Sequence, residues 1–276
     1  MDALQAVVLG ITQGITEFLP ISSDGHLILV PWLLGWKRFG LGFDVVLHGA
    51  TLLATVAYFR ADVARLARGL FSRNETLARD RRLAWVLLAA TVPSVIVAFA
   101  FEPLVETVET LSMQSQTAIT AVFLLLTAAL LAGAEWLGRR SRTTVALAED
   151  IDLRRALTIG FAQGFAVAPG LSRSGTTIAT GVALGMKRDE AARFSFLLSI
   201  PIVTAATAKK VLLDVIIGGE ALPPAFPLMI GLITTAVVGY AAIAFLLPYV
   251  RRHTLAIFAV YTALVGTAIL VARYIF

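Results

Sequence analysis

Two polar segments interrupt this otherwise apolar chain, and together they hold side chains suited to phosphate chemistry. Residues 13–28 read QGITEFLPISSDGHLI, and residues 163–178 read QGFAVAPGLSRSGTTI. Laid over each other without a gap, they share Gln13/Gln163, Gly14/Gly164, Ser22/Ser172, Gly25/Gly175 and Ile28/Ile178, with Gly10/Gly160 just upstream. The first copy adds Glu17, Ser23, Asp24 and His26; the second adds Arg173. One half therefore offers acid, base and hydroxyl chemistry, and the other a fixed cation. That complement suits a phosphate ester better than a sugar or an ion, since a guanidinium matches phosphate oxygens.

Each residue also has a plainer reading. Glu17 lies four positions after Gln13, so both project from one face of a helix. A carboxylate inside an apolar run is costly and by default marks function, although it could cap or pair structurally. Ser22 and Asp24 could simply cap a helix. With His26 three residues past Ser23, a nucleophile and its base also become possible. His48, one turn after Asp44, is expected to pair with Asp44 rather than to assist the site. Gly170, Ser172, Arg173, Ser174 and Thr177 fall in PGLSRSGTT, which reads as a tight loop opening a helix, an arrangement that favours anions. The Walker lysine is missing, so this is no nucleotide loop. With no Cys, disulfides, thiolate nucleophiles and Cys-ligated zinc are excluded, and a count of three His argues against a multi-His metal site.

The elements that must position these residues are membrane helices. Hydrophobic residues make up 58% of the 276 and charged ones 15%, with mean hydropathy +0.84; soluble domains are nearer half apolar and a quarter charged. An apolar stretch follows Met1–Asp2 directly, and no secretory pattern is expected. Stretches long enough to cross a bilayer fall near 43–60, 83–101, 117–137, 190–208, 225–248 and 254–275. The net charge of +5 is topological rather than a sign of nucleic-acid binding. Seven Arg lie in 60–82 and five in 138–155, whereas 102–116 has Glu102, Glu106 and Glu109 and no cation. The positive-inside rule makes the Arg loops cytoplasmic and the Glu loop external.

Parity then requires residues 1–42 to begin and end outside, as half-helices 2–18 and 26–36 that dip in and return. Residues 156–186 must be re-entrant from the cytoplasm. The halves, about 1–137 and 138–276, are thus inverted repeats within a single domain, and FDVVLHGATLLAT (43–55) parallels FSFLLSIPIVTAA (194–206). Broken backbone at membrane depth must be buried or line a wet cavity, so the site is expected where the two half-helix pairs meet. The expected fold is all-α: six transmembrane helices plus two re-entrant helix pairs.

Both motifs resemble those of the undecaprenyl-diphosphatase family of bacitracin-resistance membrane proteins, over nearly the whole chain and including FDVVLH at 43–48. The resemblance implies removal of the terminal phosphate from a polyprenyl diphosphate at the outer leaflet of the cell membrane, recycling the lipid carrier for envelope glycans. By position it implicates Gln13, Glu17, Ser22, Ser23, His26, Ser172, Arg173, Ser174 and Thr177. The family usually has Thr where this chain has Asp24. That extra carboxylate would repel phosphate unless it is protonated, bridged to Arg173, or neutralised by a divalent cation such as Mg or Ca; Gln13, where many relatives have Glu, offsets it in part. The candidate catalytic set is Glu17, Ser23, His26 and Arg173, with Gln13, Ser22, Asp24, Gly170, Ser172, Ser174 and Thr177 around the substrate. Ser23 is the favoured nucleophile, with His26 or Glu17 taking its proton; attack by His26 or by water stays open, as does a homodimer. A greasy groove between spans is expected to hold the prenyl chain. The competing class is a transporter of the same lipid, since inverted repeats with broken helices are also a transporter plan.

Overall fold

The computed structural model describes residues 2–36, 41–140, 148–218 and 224–275. Among them the secondary structure is helical, without a β-strand. Two short helices come first: α1 (Ala3–Thr16) and α2 (Ser23–Leu33). Then follow α3 (Leu41–Tyr58), α4 (Arg60–Phe71), α5 (Ala78–Glu109) and α6 (Met113–Arg140). A second short pair, α7 (Leu153–Gly164) and α8 (Arg173–Ala183), precedes α9 (Arg188–Lys210), α10 (Ala225–Arg252) and α11 (Ala256–Ile275). A helix thus occupies each stretch read as a span. Four helical segments are long and apolar enough to cross a membrane: Glu75–Val108, Met113–Arg140, Arg188–Leu213 and Ala225–Arg252; Ala3–Thr16, Phe43–Tyr58 and Ala256–Ala272 are shorter apolar helices. Trp85, Val92, Ile96 and Phe99 of α5, and Phe226, Met229, Ile233 and Val237 of α10, turn outward and exposed. The protein is a multi-pass membrane protein, and these faces meet lipid.

Local chemistry sets where the short helices begin and end. Asp2 and Gln5 form a reciprocal capping box at the start of α1. The helix gives way before Pro20, and Ser22 caps α2 by accepting the Gly25 N–H at 3.3 Å. In the second pair Asp152 caps α7, and a single tight turn, Phe165–Val167, leads into Pro169–Gly170. Gly170 has φ +98°, a region L side chains avoid. Ser172 then caps α8, accepting from Gly175 N at 3.0 Å.

The two short pairs are docked in the same way. α1 lies along α10, and Thr235 donates to the Gly10 carbonyl at 3.2 Å; α7 lies along α5, and Ser94 donates to the Gly160 carbonyl at 2.7 Å. Glycine is what allows the approach: a Cβ on Gly160 would stand 1.9 Å from Ala90 O. The core between them is aromatic and aliphatic, with Phe18 edge-on to Phe196 at 5.4 Å, and Phe43 and Phe194 fully buried. Ion pairs tie helix ends together. Glu135 takes a two-pronged bond from Arg188, both arms at 2.7 Å, and Asp62 is bound by Arg193 at 2.7 Å and Arg65 at 2.5 Å. Burial alone would raise the Asp62 carboxyl, but these two cations hold it below the usual carboxylate range. Ser141 and Arg142, from the second Arg-rich loop, lie outside the described residues.

Candidate active site

The tips of the two short pairs meet. Glu17, just past α1, and Arg173, the first residue of α8, form an ion pair at 2.5 Å between Oε1 and Nη2. They are 156 residues apart in sequence. Glu17 Oε2 also accepts Gln13 Nε2 at 3.0 Å and the Ser23 hydroxyl. Glu17, Gln13 and Ser23 are all buried. The carboxylate is therefore held by three donors, one of which is the hydroxyl to be activated. Arg173 keeps its other prong, Nη1, buried and without a hydrogen-bond partner. A buried charged donor left open is costly unless something occupies it.

The loops around this pair are built from hydroxyls. Ser22 adopts φ +73°, strained for a residue other than glycine, which swings α2 so that it starts at Ser23 beside Glu17. Ser172 N–H donates to Thr127 Oγ1 at 3.1 Å, and Thr127 in turn donates to Gly170 O at 3.1 Å, pinning the second loop to α6. Ser174 donates to Leu19 O at 3.1 Å, so the two loops are bonded directly. Thr177 bonds Ser195 at 2.5 Å and fixes α8 to α9. Residues at the starts of both α2 and α8, Ser22 to Asp24 and Ser172 with Arg173, thus line one cavity, where positive helix ends favour an anion.

That cavity has a volume of about 130 Å³ and is lined by Glu17, Ser22, Ser23, Asp24, His48, Ser172 and Arg173 among others. It adjoins a larger one of about 450 Å³ between α3, α5 and α9, walled mainly by residues such as Val45, Val95, Phe99, Ile202 and Val203. Asp24, His48, Ala166, Ile202, Val203 and Ala206 line both. A polar chamber opening onto an apolar groove fits an amphipathic ligand with an anionic head.

Two histidines lie beside these loops. His26 is three residues from Ser23, but both of its ring nitrogens are bonded to other groups. Its Nδ1 bonds Ser22 O at 2.7 Å and its Nε2 meets the Tyr261 hydroxyl at 2.9 Å, the rings stacked at 5.8 Å. It buttresses the Ser22 turn, while the partner of the Ser23 hydroxyl is Glu17. His48 Nδ1 bonds the backbone oxygen of Asp44 at 2.8 Å. Its Nε2 instead faces Asp24 at 3.3 Å and Glu17 at 3.8 Å, inside the site. Asp24 therefore meets a histidine, not Arg173. Thr127, Ser195 and Tyr261 escaped the sequence reading because each is a single polar residue in an apolar helix, a weak signal. Among the described residues no group of three or more His, Cys, Asp or Glu is placed to hold a metal ion, and the Glu17 oxygens are already engaged.

Residues 6–268 match the family described as bacitracin resistance protein BacA. The chain belongs to the BacA family. Among its relatives, the undecaprenyl-diphosphatase of Rubrobacter xylanophilus is 44% identical over 269 residues, 95% of this chain and 94% of that one. Those of Geobacter sulfurreducens and Geobacter metallireducens are 45% and 43% identical over 273 residues, each alignment covering 98% of both chains. These alignments run nearly end to end, so this BacA chain carries both polar loops within the part shared with its relatives.

Proposed function

We propose that this protein removes the terminal phosphate of a polyprenyl diphosphate of the undecaprenyl type, leaving the lipid monophosphate and inorganic phosphate. The observation that carries this reading is the Ser23–Glu17–Arg173 constellation, a hydroxyl, its base and a half-free guanidinium, in a chamber that opens onto an apolar groove. The names of its relatives point the same way.

The steps follow from the bonding. Arg173 Nη1 receives the terminal phosphate first, assisted by the N–H groups at the starts of α2 and α8. As the phosphate draws the guanidinium away, the Glu17 carboxylate is left facing the Ser23 hydroxyl. It takes the proton of Ser23, whose Oγ attacks phosphorus, and the lipid monophosphate departs into the groove that holds its chain. Water then hydrolyses the phosphoseryl bond. Charge gathering on the phosphoryl oxygens is met by Arg173 and the fixed amides. Gln13 keeps Glu17 oriented, while Ser22, Ser172, Ser174 and Thr177 shape the loops.

We further propose six membrane spans, two re-entrant pairs entering from opposite faces, and one domain of two inverted repeats, about 1–137 and 138–276. The duplicated docking of α1 on α10 and α7 on α5 supports the repeat. Ion pairs support the orientation by sorting helix ends into two groups: Asp62, Arg193, Glu135 and Arg188 at the Arg-rich side, Glu102 with Lys209 at the other. The site would then face outward at the cell membrane.

A transporter would not need the Ser23–Glu17 bond. The test is phosphate release from a polyprenyl diphosphate by detergent-purified protein, where no two compartments exist. Stoichiometric release is expected; no release, with lipid translocation in vesicles, would overturn the reading.

A further inference from the structure

Asp24 and His48 are the two titratable residues that line both cavities; Glu17, Ser23 and Arg173 line only the small one. On the phosphatase reading, the terminal phosphate sits with Arg173 and the prenyl chain lies in the groove. The oxygen linking the two phosphates must therefore lie at the junction, beside His48. The bonding of that ring also fixes its protons. Nδ1 faces a backbone carbonyl at 2.8 Å, which can only accept, so this nitrogen carries hydrogen. Nε2 faces carboxylate oxygens of Asp24 at 3.3 Å and Glu17 at 3.8 Å. A bare Nε2 would set its lone pair against theirs, whereas an N–H makes both contacts attractive. The ring is an imidazolium held between two carboxylates, a second cation in the site and one that, unlike Arg173, can release a proton.

We propose that His48 is an acid–base residue of this reaction, acting on the bridging oxygen. The proposal rests on the phosphatase reading. In the first half, Glu17 takes the Ser23 proton, the Oγ–P bond forms, and the P–O bond to the bridging oxygen breaks. The electron pair goes to that oxygen, which receives the Nε2 proton of His48. In the second half, water attacks the phosphoseryl phosphorus and gives one proton to His48, while Glu17 returns its proton to the departing Ser23 oxygen. Both groups end as they began, and the products are lipid monophosphate and phosphate. Asp24 acquires a role in this scheme: it holds the imidazolium in place, which also neutralises its own charge beside the substrate. The charged groups facing His48 are Glu17 from the turn after α1, Asp24 from α2, and Arg173 from α8. Lys210, and Lys209 paired with Glu102, lie further along the groove, and Asp44 is one turn back on the same helix. α10 brings no charge before Arg251.

The test uses the full-length protein in detergent and two substrates, a polyprenyl diphosphate and its analogue with sulfur in place of the bridging oxygen, whose leaving group needs no proton. With the oxygen substrate, kcat/KM of the wild type should fall on the alkaline side as the imidazolium is lost; with the sulfur substrate that limb should vanish. His48→Gln keeps a side-chain amide in place of the ring but cannot transfer a proton. It should lose roughly 10²-fold or more with oxygen and far less with sulfur. The wild-type comparison stands alone if the variant fails to fold. An alkaline limb identical for both substrates, an equal loss on both in His48→Gln, or a variant within threefold of wild type would overturn the proposal while leaving the phosphatase reading standing. Absence of any phosphate release by the wild type would instead remove that reading, and this proposal with it.

Discussion

Arg173→Lys tests the geometry of the site rather than its charge. In the structure one prong of the guanidinium is spent on Glu17 at 2.5 Å, and the other, Nη1, is buried and open. Phosphate binding should fill the open prong and recruit the second, giving two charge-assisted bonds of about 1.5–3 kcal/mol each. A lysine is a compact point charge on a flexible stem and cannot fork across two oxygens. It should keep one such bond at best. The loss, about 1.5–3 kcal/mol, converts to roughly 10- to 150-fold in kcat/KM. Arg173→Ala forfeits both bonds and leaves Glu17 buried without its cation, so its loss should be larger still. The assay is initial-rate phosphate release by purified protein, alongside a thermal melt in the same detergent to confirm folding. Arg173→Lys within twofold of wild type, in folded protein, would refute the two-pronged contact and move the phosphate elsewhere.

Three further outcomes are expected. Ser23→Ala should abolish turnover while leaving substrate affinity nearly intact, because the residue acts in the transition state, and Glu17→Gln should lose turnover as well; appreciable turnover in Ser23→Ala would assign the attack to water or another group. Single cysteines at Ser72, Ser112 and Ser141 of this Cys-free chain should report sidedness, with a membrane-impermeant thiol reagent labelling only position 112 in intact cells; labelling at 72 or 141 would reverse the orientation. Gly160→Ala places a methyl 1.9 Å from Ala90 O, so α7 must separate from α5 and lose the Ser94 bond. A destabilisation of about 1–3 kcal/mol is expected, read as a lowered melting temperature, and an unchanged melt would discount that contact.

The sequence made the helices and the meeting of the two loops legible, because hydropathy is strong in every span and the repeated QG and SxxG pattern survives in both halves. Glu17, Ser23 and Arg173 could be picked out because charged or reactive groups are rare in apolar runs. The surroundings of the histidines were less legible. Spacing along the chain puts His26 near Ser23, but the groups that hold its ring, the Ser22 carbonyl in a strained turn and the Tyr261 hydroxyl 235 positions away, leave no mark in sequence. His48 sits in a different helix, 31 positions beyond Glu17, and only the packing of α3 against the short pair brings it to Asp24. Thr127 and Ser195 are equally invisible, since a lone hydroxyl in a membrane helix usually bonds its own backbone. The groove carries no motif at all; it is the space left between α3, α5 and α9.

The central claim is that one chamber, built from both loops, holds the diphosphate while the neighbouring groove holds the chain. The most direct measurement is a structure with a non-hydrolysable polyprenyl diphosphonate bound. The terminal phosphonate should contact Arg173 through both prongs and lie in line with Ser23 Oγ, with the bridging carbon near His48 and the chain between α3, α5 and α9. A diphosphonate bound away from Arg173 and Ser23, or a chain outside that groove, would contradict the account.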